Sequence, residues 1–245
     1  MRYAVLSDIH SNLEALTAVL EHLASERIDT YLCLGDVVGY GAEPSACLNR
    51  LEACQTVVVA GNHDLACVGR LTLEWFNELA REAILWTRDQ LSFAELDALR
   101  RWPLTTVEEP FTLVHASLRH PERFEYLVDA AQAVETMQAC RTLVCLFGHT
   151  HLPTLFFQAG RTIICSQIWA PLKTHLSLAS ERYLINPGSV GQPRDRDPRA
   201  ACAIFDSGDD SIEFLRVAYD IAAAQQKIRH AGLPDGLWRR LERGA

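Results

Sequence analysis

Short apolar runs alternate with polar segments through the first part of the chain. Residues 3–6, 30–34 and 56–60 are short, mainly apolar and bounded by polar or glycine residues, which predicts buried strands. Leucine and valine recur at helical spacing over residues 13–23, and Pro44 is expected to begin a second helix that ends near residue 51. This alternation of strand and helix predicts a parallel sheet built from right-handed crossovers.

Residues 71–103 interrupt the alternation with two predicted helices. Ser92 to Glu95 has the pattern of a capping box that begins the second of them, and Pro103 is expected to stop it. We interpret this stretch as a helical insertion over one face of the sheet and expect it to serve only as structural cover.

The second half of the chain begins with strands and ends with hairpins. Strands are predicted at 111–114 and 143–147 with a helix over 130–140 between them. Later runs, at 155–157, 162–165, 183–185, 201–205 and 212–216, predict antiparallel hairpins in a second sheet, followed by a helix over 221–230. No linker-like composition divides the chain, so we expect an α/β fold in one domain spanning residues 1–245.

Composition narrows the class of protein. With 245 residues, 49% of them hydrophobic, the chain is long and apolar enough for a sizeable core, and a net charge of −8 argues against a general nucleic-acid-binding surface. The eight cysteines show no C-x-x-C spacing, and Cys33, Cys145, Cys165 and Cys202 lie in apolar runs, which predicts buried thiols in a reducing cytoplasm. We find no signal peptide and no membrane span, and therefore expect no membrane partner.

Side chains that can bind metals follow five of the predicted strands. Taken alone, Asp36 in Gly35-Asp36 is more typical of an ordinary turn than of a metal site, because glycine and aspartate are common turn residues. The recurrence at five strand ends favours a common site, because ligands bind beyond the carboxyl ends of parallel strands. The candidate residues are Asp8, His10, Asp36, Asn62, His63, His115, His149 and His151.

The donor set of this site combines nitrogen and oxygen. Carboxylates, an amide and imidazoles suit manganese, iron or zinc better than calcium or a soft metal. Seven ligands, without His63, are too many for one catalytic ion and suit two ions if one carboxylate bridges them.

Taken in order, these motifs resemble those of the calcineurin-like metallophosphoesterase superfamily. The matching segments are Asp8-x-His10, Gly35-Asp36-x-x-Gly39, Gly61-Asn62-His63-Asp64, His115 and Gly148-His149-x-His151. Asn186 to Gly191 resembles the closing motif of the small bacterial and archaeal phosphodiesterase branch. The resemblance covers nearly the whole chain.

The resemblance implies a four-layer α/β/β/α sandwich with a dinuclear metal centre. By matched position, one metal would be held by Asp8, His10, Asp36 and His151, and the other by Asp36, Asn62, His115 and His149. Manganese is the preferred ion, with iron, zinc or nickel as alternatives. Asp36 would be the shared ligand.

The same resemblance and general phosphoryl-transfer chemistry assign roles around the metals. Hydroxide on the metals would attack the phosphorus, and His63 would stabilise or protonate the leaving oxygen, with Asp64 orienting its imidazole. Arg194 and Asn62 are the expected substrate contacts, and Arg119 is a weaker candidate. The segment 169–180 would either line a substrate pocket or form an interaction loop.

The expected function is that of a metal-dependent phosphodiesterase acting on a small organic phosphate or nucleotide. A phosphomonoesterase is an alternative, and so is a non-catalytic scaffold of the same fold that forms interactions with partners. Asp36 lacks the Asp-Arg-Gly continuation of protein serine/threonine phosphatases, which makes that activity a poor fit. A homo-oligomer is compatible with the sequence.

Overall fold

Two six-stranded sheets form the centre of the computed structural model, which describes residues 1–160, 162–169 and 171–245. The strands of the first sheet are β1 (Arg2–Leu6), β2 (Thr30–Cys33), β3 (Val57–Val58), β9 (Leu172–His175), β11 (Ala200–Asp206) and β12 (Ser211–Val217). Their order is β3-β2-β1-β11-β12-β9, in which β1, β2 and β3 are parallel and the other pairs are antiparallel.

The second sheet also contains both parallel and antiparallel pairs of strands. Its strands are β4 (Thr105–Glu108), β5 (Phe111–Val114), β6 (Val144–Leu146), β7 (Thr154–Ala159), β8 (Thr162–Gln167) and β10 (Arg182–Asn186). The order is β4-β5-β6-β10-β7-β8, with β5, β6 and β10 parallel and the outer pairs antiparallel.

Helices cover the outer faces of both sheets. The α-helices are α1 (Leu13–Leu23), α2 (Pro44–Ala53), α3 (Asn62–Cys67), α4 (Glu78–Gln90), α5 (Phe93–Arg101), α6 (Ala130–Ala139), α7 (Ile221–His230) and α8 (Asp235–Arg239). Short 3-10 turns lie at Leu73–Trp75, Pro121–Arg123 and Leu241–Arg243. No helix in the described ranges combines the length and the apolar composition that crossing a bilayer requires.

The core is layered because strand side chains alternate between the two faces of a sheet. In β1, Tyr3 and Val5 pack between the two sheets, whereas Ala4 and Leu6 pack against the helices of the first sheet. In β6, Cys145 faces α6 on the other side of the molecule. The four-layer α/β/β/α arrangement that the resemblance implies is therefore confirmed.

The assignment of strands to sheets differs from the sequence-based prediction. The runs at 201–205 and 212–216 do not join a separate hairpin sheet, because β11 pairs with the free edge of β1 and β12 pairs with β11. The strand predicted at 56–60 is paired only over Val57–Val58. Hydrophobic periodicity identifies a buried strand but carries no information about which edge it pairs with.

One further prediction was wrong, and one of two alternatives for the segment 169–180 is removed. All eight cysteines are free, but Cys165 is exposed because it lies on the outermost strand of the second sheet. Part of the segment 169–180 forms β9 at the edge of the first sheet, where its backbone pairs with β12. The described residues of that segment therefore do not line the site cavity.

Candidate metal centre

The carboxyl ends of parallel strands from both sheets converge on one site. Asp8 follows β1, Asp36 follows β2 and Asn62 follows the short strand β3, all in the first sheet. His115 directly follows β5, and His149 comes shortly after β6, in the second sheet. The candidate ligands thus come from two sheets rather than from one.

Three overlapping groups of side chains are arranged so that each could hold a metal ion, and one of them consists of His10, Asp36 and His63. The other two contain the remaining aspartate and histidine candidates. Asp8, His10 and His151 place one ligand atom each within 4.8 Å of one another, and Asp36, His115 and His149 do the same. Within the groups, the Nε2 atoms of His10 and His151 lie 3.2 Å apart, and His115 Nε2 lies 3.2 Å from His149 Nδ1. Asn62 Oδ1 is 3.2 Å from His115 Nε2, which adds the amide to the group of His115 and His149.

Asp36 belongs to the group of His115 and His149 and also lies close to His10 of the group formed by Asp8, His10 and His151. Its Oδ2 atom is 3.7 Å from His10 Nε2 and 3.4 Å from His115 Nε2. This oxygen and Asp8 Oδ1 are buried without a hydrogen-bond partner in the described part of the chain. Because a buried carboxylate oxygen without a partner is costly, the donor set fits divalent cations and is incomplete without them.

Backbone carbonyls fix the orientation of three imidazoles. Nδ1 of His10, His115 and His151 donates to the carbonyl oxygens of Val38, Leu34 and Gln192, at 3.2, 2.6 and 2.6 Å. A carbonyl oxygen can only accept, so the proton lies on Nδ1 and Nε2 faces the centre. This arrangement is typical of metal-binding histidines.

Many of the candidate ligands adopt a backbone conformation that side chains other than those of Asn, Asp and His rarely take. The φ angles are positive at Asp8 (52°), His10 (49°), Asp36 (52°), His149 (67°) and His151 (60°). Each such residue costs on the order of 1–3 kcal/mol. The surrounding hydrogen bonds must therefore hold these loops in place.

Asp64 supplies much of that support, and it does so through the backbone. Its carboxylate accepts hydrogen bonds from the N–H groups of Asp36, Val37, Val38 and Gly61, at 2.8 to 3.1 Å. The expectation that Asp64 orients the His63 imidazole was wrong, because His63 Nδ1 has no partner among the described residues. Asp64 instead ties the loop after β2 to the start of α3.

The closing motif braces the other side of the centre. Asn186 Nδ2 donates to the carbonyl of Gly148 at 2.7 Å and to Thr150 Oγ1 at 3.0 Å. Ser189 Oγ donates to the Asp8 carbonyl at 2.8 Å. Through these bonds the closing motif, which is far from several of the candidate ligands in the sequence, is held beside them in the fold.

Two aromatic rings that belong to no recognised motif pack against His63. Its centroid lies 4.4 Å from that of Tyr40 and 5.1 Å from that of Phe76, and the side chain is buried. Gly39 has a φ of +88°, and a Cβ there would lie 2.6 Å from His63 Nδ1. The glycine of the Asp36 motif is therefore needed both for its backbone conformation and for space beside His63.

A cavity of about 180 Å³ opens beside these groups. Asp36, Asn62, His63, His149, His151 and Arg194 line its inner wall. The insertion contributes Leu71, Trp75, Phe76, Asn77 and Ala80 to another wall, so the prediction that it is only structural cover was wrong. Sequence periodicity found its helices but not the loop between α3 and α4 that reaches the site.

The two candidate arginines differ in their surroundings. Arg194 lines the cavity, and its Nη2 donates to Gln192 Oε1 at 3.3 Å. Arg119 is drawn away from the site by an ion pair with Glu135 of α6. The structure therefore keeps Arg194 as a candidate substrate contact and removes Arg119.

Burial and the charges of neighbouring side chains shift the pKa values of the ionisable groups in the site. Burial opposes ionisation of Asp36, but His115 and His63 outweigh it and hold the pKa of Asp36 well below its usual range. Burial also acts against the charged form of His115, yet the negative charge of Asp36, whose Oδ2 lies 3.4 Å from His115 Nε2, raises the pKa of His115 to about 9. Without metal, these two groups form a buried ion pair at neutral pH.

For the other ionisable side chains of the site, the largest cause of the pKa shift is burial. It raises the pKa of Asp8 to about 6 and lowers the pKa of His63 to about 4 and that of His149 to about 3. The pKa values of His10 and His151 are also lowered well below their usual range by burial. These four imidazoles are therefore neutral at pH 7, and neutral is the form in which His10, His149 and His151 could bind a metal.

The comparisons with known proteins agree with this geometry. The profile of the calcineurin-like phosphoesterase superfamily domain matches residues 1–210. The chain belongs to the calcineurin-like phosphoesterase superfamily. Members of this superfamily are in general metal-dependent phosphoester hydrolases, and the clustered aspartates and histidines of this chain are candidate ligands for divalent ions.

Individual relatives cover the whole length of the chain. A metallophosphoesterase of Sphaerobacter thermophilus is 40% identical, with a TM-score of 0.87 over 100% of this chain and 99% of its own. An uncharacterised protein of Methanocaldococcus jannaschii is 40% identical over 97% of this chain and 96% of its own length. A hypothetical protein of Pyrococcus horikoshii, 20% identical with a TM-score of 0.79 over 100% of this chain and 98% of its own, shares the fold.

Asp64→Asn should destabilise the protein even though it changes no candidate ligand. The amide keeps one acceptor oxygen but turns an NH₂ group toward backbone N–H donors, so we expect the free energy of unfolding to fall by at least about 2 kcal/mol. Denaturant unfolding of the metal-free protein measures this loss. Asp89→Asn, at an exposed position of α4, is the control, and equal stability of the two variants would contradict the role given to Asp64.

Metal binding should release protons between pH 6 and pH 9. Because the pKa of His115 is raised to about 9, its proton must leave before Nε2 can bind a cation, whereas Asp8 is already ionised above about pH 6. Affinity should therefore rise with pH, with about one proton released per chain. Titration calorimetry with Mn²⁺ at pH 7.5, in two buffers of different ionisation enthalpy, measures this number. Buffer-independent heats would contradict the buried ion pair.

Proposed function

We propose that the protein is a dinuclear, metal-dependent phosphodiesterase that hydrolyses a small organic phosphate or nucleotide in the cytoplasm. The observation that carries the proposal is the position of Asp36 Oδ2, buried without a partner between two groups of imidazoles. The two ligand sets are Asp8, His10, Asp36 and His151, and Asp36, Asn62, His115 and His149. Manganese is the proposed ion, with iron, zinc or nickel as alternatives, and the mixed nitrogen and oxygen donors are compatible with these metals.

When bound, divalent cations would supply Lewis acidity, which lowers the pKa of water and neutralises phosphate oxygens. The rest of the catalytic work belongs to the side chains along the inner wall. Arg194 offers a guanidinium to a phosphate oxygen, and no ion-pair partner competes for it in the described ranges. Asn62, which also lines the cavity, presents its amide to the same region.

His63 is proposed to stabilise the leaving oxygen as a neutral hydrogen-bond donor. A pKa of about 4 leaves roughly one molecule in a thousand protonated at pH 7, so transfer from a charged imidazole is the weaker role. The contacts with Tyr40, Phe76 and Gly39 hold the ring in place while it lines the cavity.

The arrangement favours a diester over a monoester. One guanidinium and one neutral imidazole on the inner wall suit the single charge of a diester better than the nearly double charge of a monoester. The outer part of the cavity, beside exposed Trp75 and Tyr126, leaves room for the second ester group. Comparing the turnover of bis-p-nitrophenyl phosphate with that of p-nitrophenyl phosphate tests this preference, and faster hydrolysis of the monoester would contradict it.

Asp36→Asn should lose at least one of two bound metals and nearly all activity. The substitution is almost isosteric, but an amide oxygen is a weaker ligand and cannot neutralise two cations. Elemental analysis of the protein after incubation with Mn²⁺, together with hydrolysis of bis-p-nitrophenyl phosphate, measures both effects. Asp29→Asn, a carboxylate outside the cavity, is the control. Two metals and normal turnover in Asp36→Asn would return Asp36 to an ordinary turn residue.

His63→Ala should lower kcat by about 10²- to 10³-fold while leaving the metal count unchanged. The unchanged count matters because His63 also lies within ligand distance of His10 and Asp36 and would otherwise be a ligand itself. Elemental analysis and steady-state kinetics distinguish the two roles. Loss of a metal ion in this variant would contradict the assignment of His63 to the substrate.

A further inference from the structure

Exposed aromatic side chains from two separate loops line the site cavity, and we call the part that they line its mouth. Four aromatic side chains are strongly exposed among the described residues, namely Trp75, Phe93, Tyr126 and Trp169. Two of these, Trp75 and Tyr126, line the cavity that also contains His63, His149 and Arg194. Scattered exposed apolar residues need no explanation, but two rings beside one candidate site do.

Each exposed ring lies one or two residues along the chain from a buried phenylalanine that packs against a histidine of the site. Phe76 packs edge-on against His63 at 5.1 Å, and its neighbour Trp75 is 62% exposed. Phe124 lies 5.9 Å from His115, and Tyr126, two residues further on, is 48% exposed. The two rings are therefore held at the mouth by packing within the site.

The backbone on both sides is also held in place. The turn Leu73–Trp75 is followed by Asn77, which caps α4 by accepting a hydrogen bond from Ala80 N at 2.9 Å. On the other wall, Tyr126 stacks on His149, with centroids 4.2 Å apart and planes inclined by 23°. One face of Tyr126 is thus occupied by a candidate ligand, and the rest of the ring remains exposed.

Charge at the same mouth indicates an anionic ligand. Arg123 and Arg194 both line the cavity, whose outer part carries the two rings. A ligand that places its phosphate at the inner wall and extends outward would bring its next group to Trp75 and Tyr126. A planar ring is the group that gains most from such surroundings, because it can stack on an aromatic side chain. Stacking of this kind does not depend on the identity of the base.

We propose that Trp75 and Tyr126 form a stacking clamp for a nucleobase, so that the substrate class is nucleotide phosphoesters rather than alkyl or sugar phosphates. This inference rests on the proposed function for the placement of the phosphate. In this proposal, the insertion and the loop after β5 recognise the part of the substrate that lies beyond the reacting phosphate. The two loops set specificity, and the strand ends carry the chemistry.

Binding of two matched phosphates to the Mn²⁺-loaded protein tests the clamp. Adenosine 5′-monophosphate and ribose 5-phosphate carry the same phosphate and sugar but differ at the anomeric carbon, which bears adenine in one and a hydroxyl in the other, so the ratio of their dissociation constants reports recognition of the base. Calorimetry should show about 5- to 100-fold tighter binding of the adenosine compound. Phosphate release is assayed in the same samples, so that any turnover is corrected for. Equal affinities, or no binding of either compound at millimolar concentration, would overturn the clamp.

Substitutions of the two rings test whether these side chains recognise the base. Trp75→Ala and Tyr126→Ala should each reduce the ratio several-fold while the affinity for ribose 5-phosphate changes little. Tyr126→Phe should retain the ratio, which separates stacking from disturbance of His149. Phe93→Ala, at an exposed ring of the same insertion outside the cavity, is the matched control. An unchanged ratio in both alanine variants would overturn the proposal.

Hydrolysis keeps failure of the clamp distinct from failure of the proposed function. The p-nitrophenyl esters of thymidine 5′-phosphate and of ethyl phosphate share one leaving group. Hydrolysis of both with equal kcat/KM, together with base-independent binding, would overturn the clamp and leave the phosphodiesterase intact. Base-dependent binding that is lost in Trp75→Ala, with no hydrolysis of either ester, would support the clamp and contradict the phosphodiesterase.

Discussion

Two carboxylate oxygens buried among imidazole nitrogens are the constraint on which the rest of the structure depends. Asp8 Oδ1 and Asp36 Oδ2 have no hydrogen-bond donor in the described ranges, and both face Nε2 atoms of histidines. Such an arrangement is unfavourable in a metal-free protein unless other groups enforce it. The enforcement comes from Asp64, whose four backbone hydrogen bonds fix the loop after β2, and from Asn186 and Ser189 on the opposite side.

The two-sheet architecture explains how these groups meet. Each sheet has a parallel segment whose carboxyl ends point toward the same site, and the apolar interface formed by residues such as Val5 and Phe111 holds the sheets together. Polar residues that are far apart in the chain thereby become neighbours. Several of them also adopt left-handed backbone conformations, so the cost of that geometry is concentrated at the candidate metal centre.

Much of this was predictable from the sequence, for identifiable reasons. The ligand residues stand directly after short apolar runs, and a run and its polar end are both local features. The layers followed from the resemblance, and the helices of the insertion from their periodicity. Sheet membership of β11 and β12 was not predictable, because pairing is decided by which strand edge is free.

The roles of Asp64 and of the mouth were missed for a different reason. Asp64 lies beside His63 in sequence, which suggested a contact between their side chains, but its carboxylate turns toward backbone N–H groups instead. Trp75 and Tyr126 carry no motif and belong to separate loops, so only the folded chain brings them to one cavity. Features of this kind depend on long-range packing and leave no short-range pattern.

Anomalous scattering from a crystal of the Mn²⁺-loaded protein would test the central claim most directly. We expect two manganese peaks, one beside Asp8, His10 and His151 and the other beside Asn62, His115 and His149, with Asp36 contacting both. A single peak would contradict the dinuclear centre. Two peaks with Asp36 bound to only one of them would contradict the bridging role on which the proposed function rests.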